Sequence, residues 1–237
     1  MKLYADLHTH TNVSQHAYST IHENVLAAKE KGFVAIGITD HGPEMMDGAI
    51  RHHFYCLKGL PETVSGLQLV RGAEVNIKDY QGRLDLDHEV LKSLDLVIAS
   101  YHVEAITPAS VSDHSRGWLN VIQNPDVDCL GHIGNPIYSC DYEAIVKACS
   151  SYGKAIEINS NSFKVRPGSD DNCKKVAELC MHYCVPVLVN SDAHILYQVG
   201  EQQDALNMLA SIGFPEELII NADKERVLKY IERLRKH

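Results

Sequence analysis

The stretch LYADLHTH, residues 3–10, decides how the rest of the chain is read. It begins as a short apolar run and ends in Asp6, His8 and His10, which the two-residue period of a strand puts on one face. The same design recurs downstream. Apolar runs at 33–39, 67–75, 94–100, 127–133, 154–159 and 185–191 are mostly β-branched and nearly continuous, as strands covered on both faces are. Helix-like stretches separate them. Ser19–Lys31 opens on the capping pair Thr20 and Glu23 and stops at Gly32; Tyr142–Tyr152 stops at Gly153; Ser169–Tyr183 follows the sixth run. Alternation of this kind predicts parallel βαβ units, seven strands in all. Residues 201–211 and 223–236 read as helices, and no eighth strand is evident. The first strand is not followed by Gly-x-Gly-x-x-Gly, so an incomplete or distorted barrel, one domain over 1–237, is preferred to an open doubly wound sheet.

Composition agrees. The chain has 237 residues, 45% hydrophobic and 22% charged, which excludes disordered, collagen-like and disulfide-stapled classes. No apolar run approaches a membrane span and the N-terminus lacks a signal-peptide core, so a cytoplasmic protein is expected. The net charge of −9 without a Lys/Arg cluster speaks against a dedicated nucleic-acid or membrane surface. Seven scattered cysteines without a Cys-x-x-Cys pair read as free thiols.

Fourteen histidines stand out, and several occupy strand ends. Strand two ends in Thr39-Asp40-His41, strand three in Glu74, strand four in His102, strand five in His132, and strand seven in Asp192-Ala193-His194. From His8 the intervals are 33, 33, 28 and 30 residues, each about one βα unit. These residues therefore gather at the carboxyl end of a barrel, where active sites are built. Only strand six, ending in Asn159-Ser160-Asn161, breaks the series. His22, His88, His114, His182 and His237 read as ordinary helix or surface residues; His52 and His53 lie in the loop after strand two, and His16 alone would be a loop residue.

An imidazole-rich, carboxylate-poor set suits zinc, iron or manganese over magnesium or calcium. With His16 counted, nine candidate ligands at about three per ion imply two or three metals sharing a carboxylate. Such a pocket is cationic inside an anionic protein and selects an anionic substrate.

The set His8-x-His10, Thr39-Asp40-His41-Gly42, Glu74, His102, His132 and Asp192-x-His194 resembles the PHP (polymerase and histidinol phosphatase) superfamily. His16-Ala17-Tyr18-Ser19, His41-Gly42-Pro43, Gly134-Asn135-Pro136 and Glu157-Ile158-Asn159 are similar to the bacterial YcdX-like probable phosphatases. The resemblance implies a distorted (β/α)7 TIM-like barrel with three divalent ions, zinc first and manganese or iron as alternatives. It implies one ion held by His8, His10, Glu74 and Asp192, a second by Glu74, His102 and His132, and a third by His16, His41 and His194. Where the family has proline after the strand-five histidine, this chain has Ile133.

The expectation is a phosphoesterase that attacks a small phosphorylated substrate with a metal-activated water, its leaving-group acid unnamed. Arg166 is the candidate phosphate clamp, with the helix start at Ser169 as a further anion-favouring group. Asp6 and Asp40 are expected to orient ligand imidazoles. A homo-oligomer, trimers included, is compatible with the sequence. The rival readings are an amidohydrolase-type C–N hydrolase and a non-catalytic metal-binding regulatory module. The first typically carries a bridging lysine after strand four, where this chain has His102; the second need not retain all nine ligands.

Overall fold

In a computed structural model, which describes residues 1–236, the seven apolar runs become seven parallel strands paired in chain order. They are β1 (Ala5–Asp6), β2 (Ala35–Ile38), β3 (Leu67–Asn76), β4 (Leu96–Ser100), β5 (Cys129–Leu130), β6 (Ala155–Asn159) and β7 (Val187–Asn190). Nearly all their residues are buried, which explains why the runs do not alternate apolar with polar. At Gly37 a side chain would run into the backbone of Leu7, so β1 and β2 can approach only because position 37 has no Cβ.

The long helices follow their sequence signals. Ile21–Glu30 is capped reciprocally by Thr20 and Glu23. Tyr142–Tyr152 ends on Gly153 at φ 67°, the left-handed conformation that favours glycine. Ser169–Tyr183 matches its expected bounds, while the two C-terminal helices, Gln203–Ser211 and Lys224–Leu234, are slightly shorter than expected. One strand was not foreseen. Thr63–Val64 folds back antiparallel on β3 through Ser65 and Gly66, both at positive φ, as a two-residue hairpin loop demands.

The distortion lies at the seam between β7 and β1. Among the described residues six neighbouring strand pairs share backbone ladders, but here the ladder is reduced to an isolated bridge, Thr9 to Ala193. Side-chain amides fill the gap. Asn221 Nδ2 donates to Ala5 O (2.9 Å) and Val189 O (2.6 Å), and Gln202 Nε2 donates to the same two carbonyls. Two amides thus satisfy backbone groups that an eighth strand would otherwise pair.

The helix Lys224–Leu234 packs Val227, Tyr230, Ile231 and Leu234 against Ala5, Leu96, Cys129, Ala155 and Leu188, sealing the amino ends of the strands. Polar side chains collect at the other end. Among the described residues no helix is long and apolar enough to cross a membrane.

Candidate metal centre

Glu74, near the end of β3, is the hub. Its Oε1 faces His132 Nε2 at 2.8 Å and His102 Nε2 at 3.4 Å. Its Oε2 faces His41 Nδ1 at 2.8 Å, His8 Nε2 at 3.3 Å and His10 Nε2 at 3.7 Å. The second carboxylate, Asp192, points Oδ1 at His10 Nε2 (3.1 Å) and His8 Nε2 (3.6 Å). His16 joins through His194, their Nε2 atoms 3.0 Å apart. All nine side chains named from the sequence therefore meet at one end of the barrel. Within them three sets have ligand atoms close enough to share an ion: His8, His10 and Glu74; His41, Glu74 and His102; and His10, His41 and His194.

The chemistry of this cluster fits metal ions. Buried polar atoms normally find hydrogen-bond partners, yet His10 Nδ1 has none, and His41 Nδ1, His102 Nε2 and Glu74 Oε2 lie close to one another without hydrogen-bond geometry. His8 Nε2 and His10 Nε2 approach to 3.1 Å. Burial works against a charged His8, but Glu157, Glu74 and Asp192 outweigh it and raise its pKa well above that of a free imidazole. Burial, with repulsion from His41 and His194, lowers the His10 pKa well below that of a free imidazole. Burial, aided by Arg166, pushes His132 down to about 4. Rings held neutral are rings ready to coordinate. For Glu74, burial works against the charged form, but His8, His102 and His41 outweigh it and keep the carboxyl ionised. Asp192 is held low in the same way, chiefly by His8 against the cost of burial.

Backbone strain marks the same place. His132 (φ 30°) and Asp192 (φ 58°) are two of the four non-glycine residues with positive φ among the described residues. Such strain persists only where surrounding structure enforces it. Ile133, next to His132 in the chain, is buried.

The partners that aim the imidazoles differ from those expected. Asp6 accepts from Ser191 N and Oγ and from Gly200 N, pinning β1 to the loop after β7. Asp40 accepts from Thr11 N, Thr11 Oγ1 and Ser14 Oγ, and Ser14 Oγ in turn accepts from His41 N. Both aspartates order backbone and neither hydrogen-bonds a ligand ring. Glu157 takes that part, a residue quoted from the sequence only within the Glu157-Ile158-Asn159 resemblance and given no role there. Its Oε1 lies 2.7 Å from His8 Nδ1 and accepts from Asn190 Nδ2; its Oε2 accepts from His132 N and Asn159 Nδ2. The signal was available: a glutamate amid Ala155, Ile156 and Ile158 must be paired once buried. Asn76 Oδ1 faces His102 Nδ1 at 2.7 Å, and Asp47 Oδ2 faces His16 Nδ1 at 2.6 Å.

A cavity of about 380 Å³ opens onto the cluster, lined by His16, His41, His102, Asp192 and His194 together with Met45, Glu104, Asn161, Val165 and Arg166. Arg166 donates from Nη1 and Nη2 to Asp192 Oδ2 at 3.4 and 3.3 Å, and from Nη1 to Ser162 Oγ. Ser169 is buried and does not line this cavity. His53 Nε2 lies 3.7 Å from Asp40, and His52 contacts Cys56. His114 is a structural residue, bonded to Ser139 O and Ala109 N.

A seven-stranded parallel barrel with a histidine–carboxylate cluster at its carboxyl end defines the class. The family model described as PHP domain matches residues 6–161, and the chain belongs to that family. A probable phosphatase of Clostridium botulinum (strain Hall) is 45% identical over 232 residues, spanning 98% of this chain and 96% of the relative. Another, from Caldanaerobacter subterraneus subsp. tengcongensis, is 44% identical over 238 residues, spanning 100% of this chain and 94% of the relative. Among solved structures, histidinol phosphate phosphatase from Lactococcus lactis, complexed with zinc, L-histidinol and phosphate, is similar in fold with a TM-score of 0.66. It is 19% identical and covers 90% of this chain and 95% of its own.

Proposed function

We propose that this chain is a metal-dependent phosphatase acting on a small phosphomonoester at a centre of three divalent ions. The observation that carries the reading is Glu74, whose two oxygens face separate groups of imidazoles. In this reading His8, His10, Glu74 and Asp192 hold one ion, Glu74, His102 and His132 a second, and His16, His41 and His194 a third. Zinc is the first candidate, since imidazole outnumbers carboxylate among the donors; the zinc bound in the Lactococcus lactis neighbour supports it. Divalent ions at such a site supply Lewis acidity and acidify a coordinated water.

The chain's own residues supply the rest. Glu157, Asn76 and Asp47 fix ring orientations, and burial favours the neutral form of His10 and His132. Arg166 faces the cavity as the fork for phosphate oxygens while holding Asp192 from behind. The C–N hydrolase reading has no bridging lysine on the cavity wall to support it; the curated relatives are named probable phosphatases, which favours catalysis over an inert module.

The test is elemental analysis combined with inhibition. The protein purified without chelator should carry more than two transition-metal equivalents, hydrolyse an aryl phosphate, and be inhibited competitively by inorganic phosphate. Arg166→Ala should weaken that inhibition by about 1–3 kcal/mol. At most one metal equivalent after reloading sinks the three-ion reading, and no turnover sinks the phosphatase.

A further inference from the structure

A ligand imidazole needs its proton on the nitrogen that faces away from the ion. For His8 and His16 the group at that nitrogen is a carboxylate, Glu157 or Asp47, which when ionised can only accept. His102 differs. Its Nδ1 faces the side-chain amide of Asn76, and an amide can accept through its oxygen or donate through its nitrogen. Which end Asn76 presents decides which nitrogen of His102 carries the proton.

Asp85 bears on that choice. Ile77 and Leu84 pair antiparallel, so the chain leaves β3 and returns to its end. There Asp85 N donates to Asn76 O (3.1 Å) and Asn76 N donates to Asp85 Oδ1 (2.9 Å). The amide nitrogen Asn76 Nδ2 donates to Asp85 Oδ2 at 2.6 Å and to Gly42 O at 3.2 Å. With two acceptors at its nitrogen, the amide keeps its oxygen for His102 Nδ1, 2.7 Å away. Glu44 N also donates to Asp85 Oδ2, so one carboxylate ties the loop after His41 to Asn76. The fit is close: a Cβ at Gly42 would overlap the Asp85 carboxylate.

Resting on the reading of His102 as a ligand, we propose that Asp85 is a positioning residue for the metal centre. By fixing the Asn76 amide it holds His102 as the Nδ1–H tautomer and leaves Nε2, which faces Glu74 Oε1 at 3.4 Å, for an ion. It acts only through Asn76.

Three variants separate this role from simple bracing. Among the described residues Asp85 accepts from three N–H groups, so Asp85→Asn sets an NH2 group against one of them, a conflict that turning Asn76 over relieves. Asp85→Ala removes the acceptor and adds no donor. The swap Asn76→Asp/Asp85→Asn again places an amide against a carboxylate, with an acceptor at His102.

Long-range 1H–15N NMR of the metal-free, 15N-histidine-labelled full chain reads the tautomer at about pH 9, above the ordinary imidazole range. The His102 signals are assigned by their loss in His102→Gln. The wild type should show Nδ1–H, Asp85→Ala both tautomers, Asp85→Asn mainly Nε2–H, and the swap Nδ1–H again. Chelator competition on the metal-loaded proteins should find one equivalent weakened by about 10–100-fold in the two single variants and most of that recovered in the swap. Bracing through Glu44 N would not be rescued, since the swap leaves that donor without its acceptor. Nε2–H in the wild type overturns the assignment, as does one unchanged tautomer across the wild type, Asp85→Ala and Asp85→Asn. A swap that recovers neither tautomer nor affinity overturns it too. If the tautomers change as expected while metal affinity stays constant, the reading of His102 as a ligand fails and the hold of Asp85 on His102 stands.

Discussion

The two ends of this barrel bury charge in opposite ways. At the amino end Asp95, Asp128 and Lys154, near the strand starts, each have hydrogen-bond partners close by. Asp95 accepts from Arg71 N and forms a two-pronged pair with the Arg71 guanidinium; Asp128 accepts from Val97 N; Lys154 Nζ donates to Asn124 O and Val127 O. At the carboxyl end four ligand-type atoms lack a hydrogen bond of acceptable geometry although they crowd together, and two residues are held at positive φ. The first end uses charge to terminate strands. The second accumulates unsatisfied polar atoms and strain that a folded protein tolerates only when something else binds there.

The contrast breaks most visibly at Glu74. Glu74→Gln should leave the circular dichroism spectrum intact, because the strand ladder around it is backbone. Bound metal should fall to at most one equivalent and turnover by more than about 100-fold, beyond what loss of an outer partner costs. A variant that keeps its metals and its rate would refute the hub.

A smaller effect separates ligand from support. Glu157→Gln keeps shape and volume but removes the charge facing His8 Nδ1. Metal affinity, measured by chelator competition, should weaken by about 10–100-fold without loss of the final stoichiometry under saturating metal. Unchanged affinity would reduce Glu157 to a strut between β6 and the loop bearing His132.

The smallest effect belongs to the amino end and concerns stability alone. Burial raises the Asp128 carboxyl to about 6, against the ordinary value of 3.8. A raised carboxyl favours the folded state fully below 3.8, and that benefit is lost as pH rises through 6. At pH 8 the wild type therefore carries a destabilising charge that Asp128→Asn lacks. The variant should be more stable by about 1–2 kcal/mol at pH 8, the difference shrinking toward pH 4 in urea unfolding. A variant less stable at pH 8 would mean that Lys154 and Val97 N fully compensate the charge.

Much of this was legible in one dimension because a parallel strand reports itself twice, as an apolar run and through the polar residue at its carboxyl end. The seven runs, the spacing of roughly one βα unit and the helix caps at Thr20 and Gly153 are local signals, and the residues that answer to them carry them openly. The supporting groups are different. Glu157 contacts His8 across 149 positions, and Asn221 reaches Ala5 across 216. Asp6 and Asp40 sit beside histidines in sequence, but the strand turns their carboxylates toward backbone donors in neighbouring loops.

What the sequence by itself determined is the parallel barrel and eight of the nine ligand-type residues, since strand periodicity and residue chemistry are properties of short segments; His16, which no strand places, entered through the family resemblance. Only the tertiary structure decided which of Glu74's two oxygens meets which imidazole, which carboxylate aims His8, and how seven strands close without an eighth. Those depend on distances between segments far apart in the chain, set by how the barrel packs.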